Sequence, residues 1–400
     1  MLWCCHWQGH ASADGYARAA AAQQAFVAGF CPRLQVLNML SALLILALCA
    51  AGACPGVGAP VTISNVLPRR DAAGALMDLH DGTVLQVNGT FFYWGMSYGL
   101  CNVTKSGCDG LWFPPHCGYR TDHNLSLYTS PDLVHWTYAL DALPVPARPA
   151  AVYYRPQVVF NAATGLYVLW INSVPFWNST ADPNYFQATY LVATSPSPLA
   201  AFTALGPAAT SRGALGVGDL SLFVDPLDGA GYVAYAAWAA GVHAVSVERL
   251  APDFLTSALA GSSGVVTPPF YEAPLLLARG GTYYLLTGPT CCFCAEGAAT
   301  AVYAAPHPLG PWGATGAFVD PPGAANASLL GAQNSLLVQV TLASGERGVV
   351  WAGDRWGSAP DGLFGHNLQY WGLLQWNDSA VPPRVAALQW QDELTLDLAG

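Results

Sequence analysis

From residue 76 onward the chain repeats one pattern of polar and apolar positions. A single polar residue opens each copy, an apolar run follows, a Gly-containing turn reverses the chain, and an aromatic-rich run returns. The first copy reads DGTVLQV from Asp81, then NGT, then FFYWG. The second reads RPQVVFN from Arg155, then AATG and LYVLWI; the third reads DLSLFVD from Asp219, then PLDGAG and YVAYAA. The fourth is EAPLLLA from Glu272 with RGG and TYYLLTG, and the fifth is QNSLLVQV from Gln333 with TLASGERG and VVWAGD. Short runs rich in Val, Leu, Tyr and Phe, bounded by Gly, Asn and Asp, are the pattern of β-hairpins.

Further strands follow the hairpins. LSLYTSPDLVHWT (125–137), YLVATSPSPLAAFT (190–203) and TAVYAAPHPLGPWG (300–313) each combine a strand, a Pro-containing turn and an aromatic, and AVSVERLAPDFL (244–255) is a weaker copy. The copies start about 50–75 residues apart, the length of a four-stranded propeller blade with insertions. Near-continuous apolar runs suit blades packed on both faces. The pattern predicts an all-β, five-bladed β-propeller over residues 55–400, with a two-sheet sandwich as the structural alternative. VTISNV (61–66) and ALQWQDELTLDL (387–398) are candidates to pair with each other and close the ring, which would hide an exposed strand edge.

First strands of propeller blades line the central channel, so equivalent positions converge at one mouth. Here those positions carry Asp81, Arg155, Asp219, Glu272 and Gln333. Three acids, a cation and an amide around one pocket are costly to desolvate and serve little purpose as packing. Capping of strand ends, or pairing of Arg155 with an acid, is the structural reading of any one of them. Two carboxyl groups across a pocket suit glycoside hydrolysis, one protonating the leaving oxygen and the other activating water or attacking carbon. A third acid beside the proton donor would raise its pKa by like-charge repulsion.

Composition adds limits. Only 10% of residues are charged and the net charge is −10, which argues against nucleic-acid and anionic-membrane partners, since both need basic patches. Residues 34–53 form a sustained apolar stretch after Arg33 and end in small residues. Residues 1–54 are therefore expected to be a leader, either a cleaved signal peptide or a signal anchor. Asn-x-Ser/Thr sequons at Asn88, Asn102, Asn124, Asn178, Asn326 and Asn377 all follow it, as expected of a secreted glycoprotein or one in the secretory lumen. Past the leader stretch the cysteines are Cys54, Cys101, Cys108, Cys117, Cys291, Cys292 and Cys294. Their spacing lacks paired CxxC motifs, so local disulfides within 101–117 and 291–294 are favoured over zinc; the number is odd, so one thiol stays free or the pairing is incomplete.

Several motifs together give the chain a family resemblance. His80-Asp81-Gly82 leading to FFYWG, YTSPDLVHW, and Glu272-Ala273-Pro274 followed by GGTYYLLTG and GPW resemble glycoside hydrolase family 43 over about residues 76–378. YRPQVVFNAATGLYVLWIN, GVGDLSLFVD, AQNSLLVQV and GDRW (353–356) are similar to the family's galactan 1,3-β-galactosidase-like group. The resemblance implies that Glu272 is the general acid, Asp219 its pKa modulator and orienter, and Asp81 the general base of the wider family. It implies sugar or water contacts for Gln333, and a substrate pocket that includes Arg155 and Tyr154. That group typically carries Gly where Asp81 stands and Glu where Tyr154 stands, and it has Arg where Gly218 precedes Asp219.

The expected activity is thus inverting hydrolysis of a galactan-, arabinan- or xylan-type polysaccharide or glycan by a monomer. An inverting pair stands about 6.5–9.5 Å apart. A catalytically inactive carbohydrate-binding propeller is the alternative, and a propeller presenting its faces to protein partners is a third reading. Trp94, Trp170 and Trp356 are candidates for sugar stacking, although such residues are more often core. No cofactor is expected. Some family members hold a channel cation through a His; His366 is the candidate here, with a solvated loop His as the other reading.

Overall fold

The structure is a computed structural model that describes residues 60–99, 121–176, 183–212, 215–239, 242–289, 298–323 and 327–399. The leader, every cysteine, and the sequons at Asn102, Asn178 and Asn326 lie outside the described residues. Five antiparallel sheets follow one another along the chain, each in simple sequence order. Their innermost strands are His80–Val87, Val152–Asn161, Val217–Val224, Glu272–Arg279 and Gln333–Thr341, the five apolar runs of the sequence pattern. The first four blades have four strands each, and the fifth has three. This is a five-bladed β-propeller.

The reason for the near-continuous apolar runs is visible in the packing. Phe92, Trp94 and Leu127 of blade 1 meet Val158, Leu169 and Ile171 of blade 2. Corresponding clusters join blades 2 and 3 around Trp170 and Tyr235, blades 3 and 4 around Val247 and Leu285, and blades 4 and 5 around Leu286 and Trp351. Leu336, Val338 and Trp371 of blade 5 pack against Val84 and Tyr93 of blade 1, so the ring is closed. Both faces of each blade are therefore buried, and each fully buried large apolar side chain contributes about 1.5–3 kcal/mol.

Val61–Ser64 pairs antiparallel with Glu393–Leu396, as the closure expectation required. Ile63, Leu394 and Leu396 join the cluster between blades 5 and 1. Asn65 fastens this ribbon to the three-stranded blade: its Nδ2 donates to the Trp371 carbonyl at 3.1 Å and its Oδ1 accepts the Trp371 N–H at 2.8 Å. The two ends of the fold thus cover the edge that blade 5 would otherwise expose. Among the described residues no helix is long and apolar enough to cross a membrane.

Candidate active site

Each innermost strand is interrupted at the same level. Pairing with the second strand of the blade slips between His80 and Thr83, Tyr154 and Gln157, Val217 and Leu220, Glu272 and Leu275, and Asn334 and Leu336. These are β-bulges, which re-aim side chains at the rims of sheets. Asp81, Arg155 and Ala273 take φ values of 57°, 54° and 51°, left-handed conformations that such residues keep only when their surroundings hold them. Pro156 and Pro274 follow two of them, where the interrupted ladder asks for no N–H. In blade 1 that place is taken by Gly82, where a Cβ would lie 2.0 Å from the Trp94 carbonyl oxygen. Gly82, Pro156 and Pro274 are thus local marks of the bulge in blades 1, 2 and 4, while blades 3 and 5 make it with neither residue after Asp219 or Gln333.

Arg155 is buried between two acids. Its Nε lies 3.3 Å from Asp81 Oδ1 and 3.2 Å from Asp219 Oδ1, and its Nη1 donates to the Asn334 carbonyl at 2.7 Å. Burial lowers the pKa of its guanidinium, but the fields of Asp219, Asp81, Asp354 and Glu272 outweigh burial and raise it above the ordinary value. The bulge carrying Asp219 is held from behind: the Gly218 carbonyl accepts from Asn172 Nδ2 at 2.9 Å and from the Tyr190 hydroxyl at 2.8 Å.

Asp81 is held at both ends. The Tyr98 hydroxyl donates to its Oδ2 at 2.7 Å, and its backbone N–H donates to Asp354 Oδ2 at 3.1 Å. Burial pushes the Asp81 carboxyl up to about 6; Arg155 and Tyr98 pull against that rise, while Asp354 and Asp219 add to it. Asp354 itself accepts from His80 Nδ1 at 2.9 Å, Ser335 Oγ at 2.6 Å and Gln369 Nε2 at 2.7 Å. Burial would raise its pKa, but His80 and these donors outweigh burial and hold it below the usual carboxylate range. The other nitrogen of His80 faces the Gly365 carbonyl at 3.2 Å. Both ring nitrogens thus meet acceptors, and only the imidazolium can donate to both. A buried His80–Asp354 ion pair therefore underlies the Asp81 bulge.

Glu272 has different company. Gln333 Nε2 donates to its Oε1 at 2.9 Å, while Gln333 Oε1 accepts from the Trp356 indole at 2.7 Å. Indole N–H is donor-only, so it fixes which end of the Gln333 amide faces Glu272. Because Oε1 is already an acceptor, the proton of a neutral Glu272 belongs on Oε2. That oxygen lies 3.4 Å from His243 Nε2. With 13% of its side chain exposed, against 6% for Asp81 and 3% for Arg155, Glu272 is the most open of the three.

The profile of glycosyl hydrolases family 43 matches residues 78–333 of this sequence. The chain belongs to glycosyl hydrolase family 43. As a member of that family it is a glycosidase, a hydrolase of O-glycosyl compounds. Among solved structures it is similar to an exo-β-1,3-galactanase from Clostridium thermocellum, with 22% identity over 84% of this chain and 67% of that one and a TM-score of 0.65. An exo-β-1,3-galactanase from Phanerochaete chrysosporium, solved with galactose, is 25% identical over 82% of this chain and 67% of that one, with a TM-score of 0.60. No match was found among the curated proteins.

Seen as a family 43 site, the five polar strand openers form two contact groups, Asp81–Arg155–Asp219 and Glu272–Gln333, with the field of Glu272 reaching Arg155. Tyr154 is half-buried at the rim, packed with Val152, Val174 and Ala188. Trp94, Trp170 and Trp356 are buried, at 0%, 0% and 1% exposure, so they are packing residues, and Trp356 acts on the site through Gln333. His366 hydrogen-bonds Asp361 Oδ2 at 2.6 Å in a surface turn. Sequence reasoning passed over Tyr98, Asp354 and His243. Asp354 lay within the GDRW motif, but Tyr98 and His243 follow no phase of the repeat and offered no signal.

The pairing of Arg155 with two buried acids makes a stability prediction. Arg155→Met leaves Asp81 and Asp219 without their counter-charge, and losing one partner of a buried ion pair costs about 3–5 kcal/mol. Urea unfolding at pH 7 measures this. A loss below about 1 kcal/mol would mean that the two acids do not depend on Arg155 for their burial.

Proposed function

We propose that this family 43 enzyme hydrolyses a β-1,3-galactan-type chain with inversion, with Glu272 as general acid and Asp81 as general base. The observation that carries the reading is the unequal environment of the two carboxyls. Asp81 stands against the Arg155 cation and titrates near 6, so it is ionised at neutral pH and able to take a proton from water. Glu272 is held by the neutral Gln333 amide through Oε1, its Oε2 lies 3.4 Å from His243 Nε2, and its side chain is the more exposed of the two carboxyls. Environments that differ in this way assign acid and base roles.

Topology supports inversion. Asp81 stands on blade 1 and Glu272 on blade 4, with blade 5 between them on the short way round the ring. Opposed placement suits a pair that must admit a water molecule as well as the sugar. In the reaction, the Glu272 proton passes to the glycosidic oxygen as its bond to the anomeric carbon breaks. Water attacks the opposite face of that carbon and gives its proton to Asp81. Asp219 shares Arg155 with Asp81 and so orients the cation that faces the base. The β-1,3-galactan preference rests on the galactanase neighbours. The sequons, with Asn88, Asn124 and Asn377 exposed, and the apolar stretch at 34–53 support a place in the secretory pathway or outside the cell.

The test is to incubate the enzyme with β-1,3-galactan, arabinan and xylan and follow the first-formed anomer by proton NMR. Release of α-galactose from the β-linked galactan is the expected result. Release of the β-anomer would overturn inversion, and turnover of arabinan or xylan without galactan would overturn the substrate class.

A further inference from the structure

An aromatic strip leads away from Glu272 that the acid–base chemistry does not use. His243, whose Nε2 is 3.4 Å from Glu272 Oε2, is the second residue of the third strand of blade 3, Val242–Leu250. Across the hairpin it pairs with Trp238, ring centroids 5.1 Å apart. Trp238 in turn lies 6.3 Å from Phe186, and on the other flank the Phe270 ring meets His243 edge-on at 6.1 Å. Four aromatic rings thus run in one continuous path, and its His243 member stands 3.4 Å from Glu272 Oε2. Phe186 and Phe270 are each 56% exposed, unlike the buried rings between the blades.

The exposure is built in. Phe186 sits in the 3-10 turn Tyr185–Gln187, which is clamped to the strand carrying Asp219. Gly216, at φ 98°, lets the Tyr185 carbonyl come so close that a Cβ would lie 2.1 Å from its oxygen. Val217 N–H bonds the Ala188 carbonyl at 3.3 Å, and Trp238 N–H bonds the Gly216 carbonyl at 3.1 Å. Phe270 is held at φ 65° with its N–H bonded to the His243 carbonyl at 2.7 Å. A bulky residue with positive φ is rare and points to a local constraint with a use.

We infer that Phe186, Trp238 and Phe270 form the subsite for the departing half of the glycoside, stacking on the apolar face of the pyranose that leaves with the glycosidic oxygen. The inference rests on Glu272 being the acid. The leaving oxygen must then come to the Glu272 carboxyl, and the aromatic path begins at His243, 3.4 Å from Glu272 Oε2. Aromatic faces suit a ring whose C–H bonds are apolar and whose hydroxyls point outward to water.

The experiment compares two β-galactosides that share the sugar being cleaved and differ in what departs: β-1,3-galactobiose and β-galactosyl fluoride. Phe186→Ala and Phe270→Ala are each expected to lower kcat/KM on the disaccharide about tenfold more than on the fluoride, the scale of one lost apolar contact. Phe270→Trp should restore most of the disaccharide rate. Leu227→Ala, a 77% exposed residue in the turn at the far end of its strand, should change neither. Equal losses on both substrates, or no loss on either, would overturn the subsite while leaving the acid–base reading standing. Equal losses with self-association abolished would identify the strip as a surface for a second copy. Parent enzyme inert on both substrates overturns the galactoside reading, and the subsite with it.

Discussion

Glu272→Gln should cost the enzyme about 10²–10⁴-fold in kcat on galactobiose, the usual contribution of a positioned proton donor. That is about 3–5 kcal/mol of barrier at 1.36 kcal/mol per factor of ten. The substitution is nearly isosteric, and its amide oxygen can still accept from Gln333 Nε2, the donor that Trp356 fixes. Fold and pocket should therefore persist, with only the transferable proton removed. The loss should depend on the leaving group: fluoride departs with little protonation, so β-galactosyl fluoride should keep most of its rate. A uniform loss on both substrates would mean that Glu272 binds sugar without acting as acid. Unchanged turnover would remove it from the mechanism.

Asp81→Asn should be comparably severe, and its pH signature is more specific. A general base works ionised, so with the carboxyl near 6 the parent kcat/KM should fall about tenfold per unit below that pH, the acid limb of a bell whose basic limb belongs to the proton donor Glu272. The direction follows from burial: a buried carboxyl resists ionisation, and Arg155 and Tyr98 recover only part of the cost. The asparagine variant should lose about 10²–10⁴-fold at neutral pH and lose this acid limb. Added azide or formate should restore part of the rate by supplying a nucleophile or base. If the limb near pH 6 survives in Asp81→Asn, another group titrates there and Asp81 is not the base.

These two residues bear on how the chain relates to its structural neighbours. The galactosidase-like motifs resemble this sequence at Arg155-Pro156, Asp219 and Gln333, yet that group typically has Gly in place of Asp81. The Asp81 bulge, Tyr98 hydroxyl and His80–Asp354 pair are joined in one network. An acid kept in a left-handed conformation by a buried ion pair costs stability, and such strain gathers at functional sites.

The linear pattern by itself determined the blade count, the phase of the five polar openers and the closing ribbon. Each of these depends on local chemistry: apolar runs with β-rich side chains, turns at Gly and Asn, and Pro or Gly where a bulge needs no N–H or no Cβ. The candidate acids were legible for the same reason, because a repeat brings equal phases to one ring. Tertiary structure alone decided which charge meets which. Asp81 N–H reaches Asp354 across 273 residues of sequence, and Arg155 reaches the Asn334 carbonyl across 179. No local rule encodes a partner at that distance. For Arg155 the sequence offered both a substrate contact and pairing with an acid, and the packing sets it between two acids, Asp81 and Asp219. Trp356, a candidate for stacking, proved to set the Gln333 amide. Phe270 stands two residues before Glu272 in the sequence, but Phe186 and Trp238 come from separate segments with no shared phase, and only packing brings them into one path with Phe270 through His243.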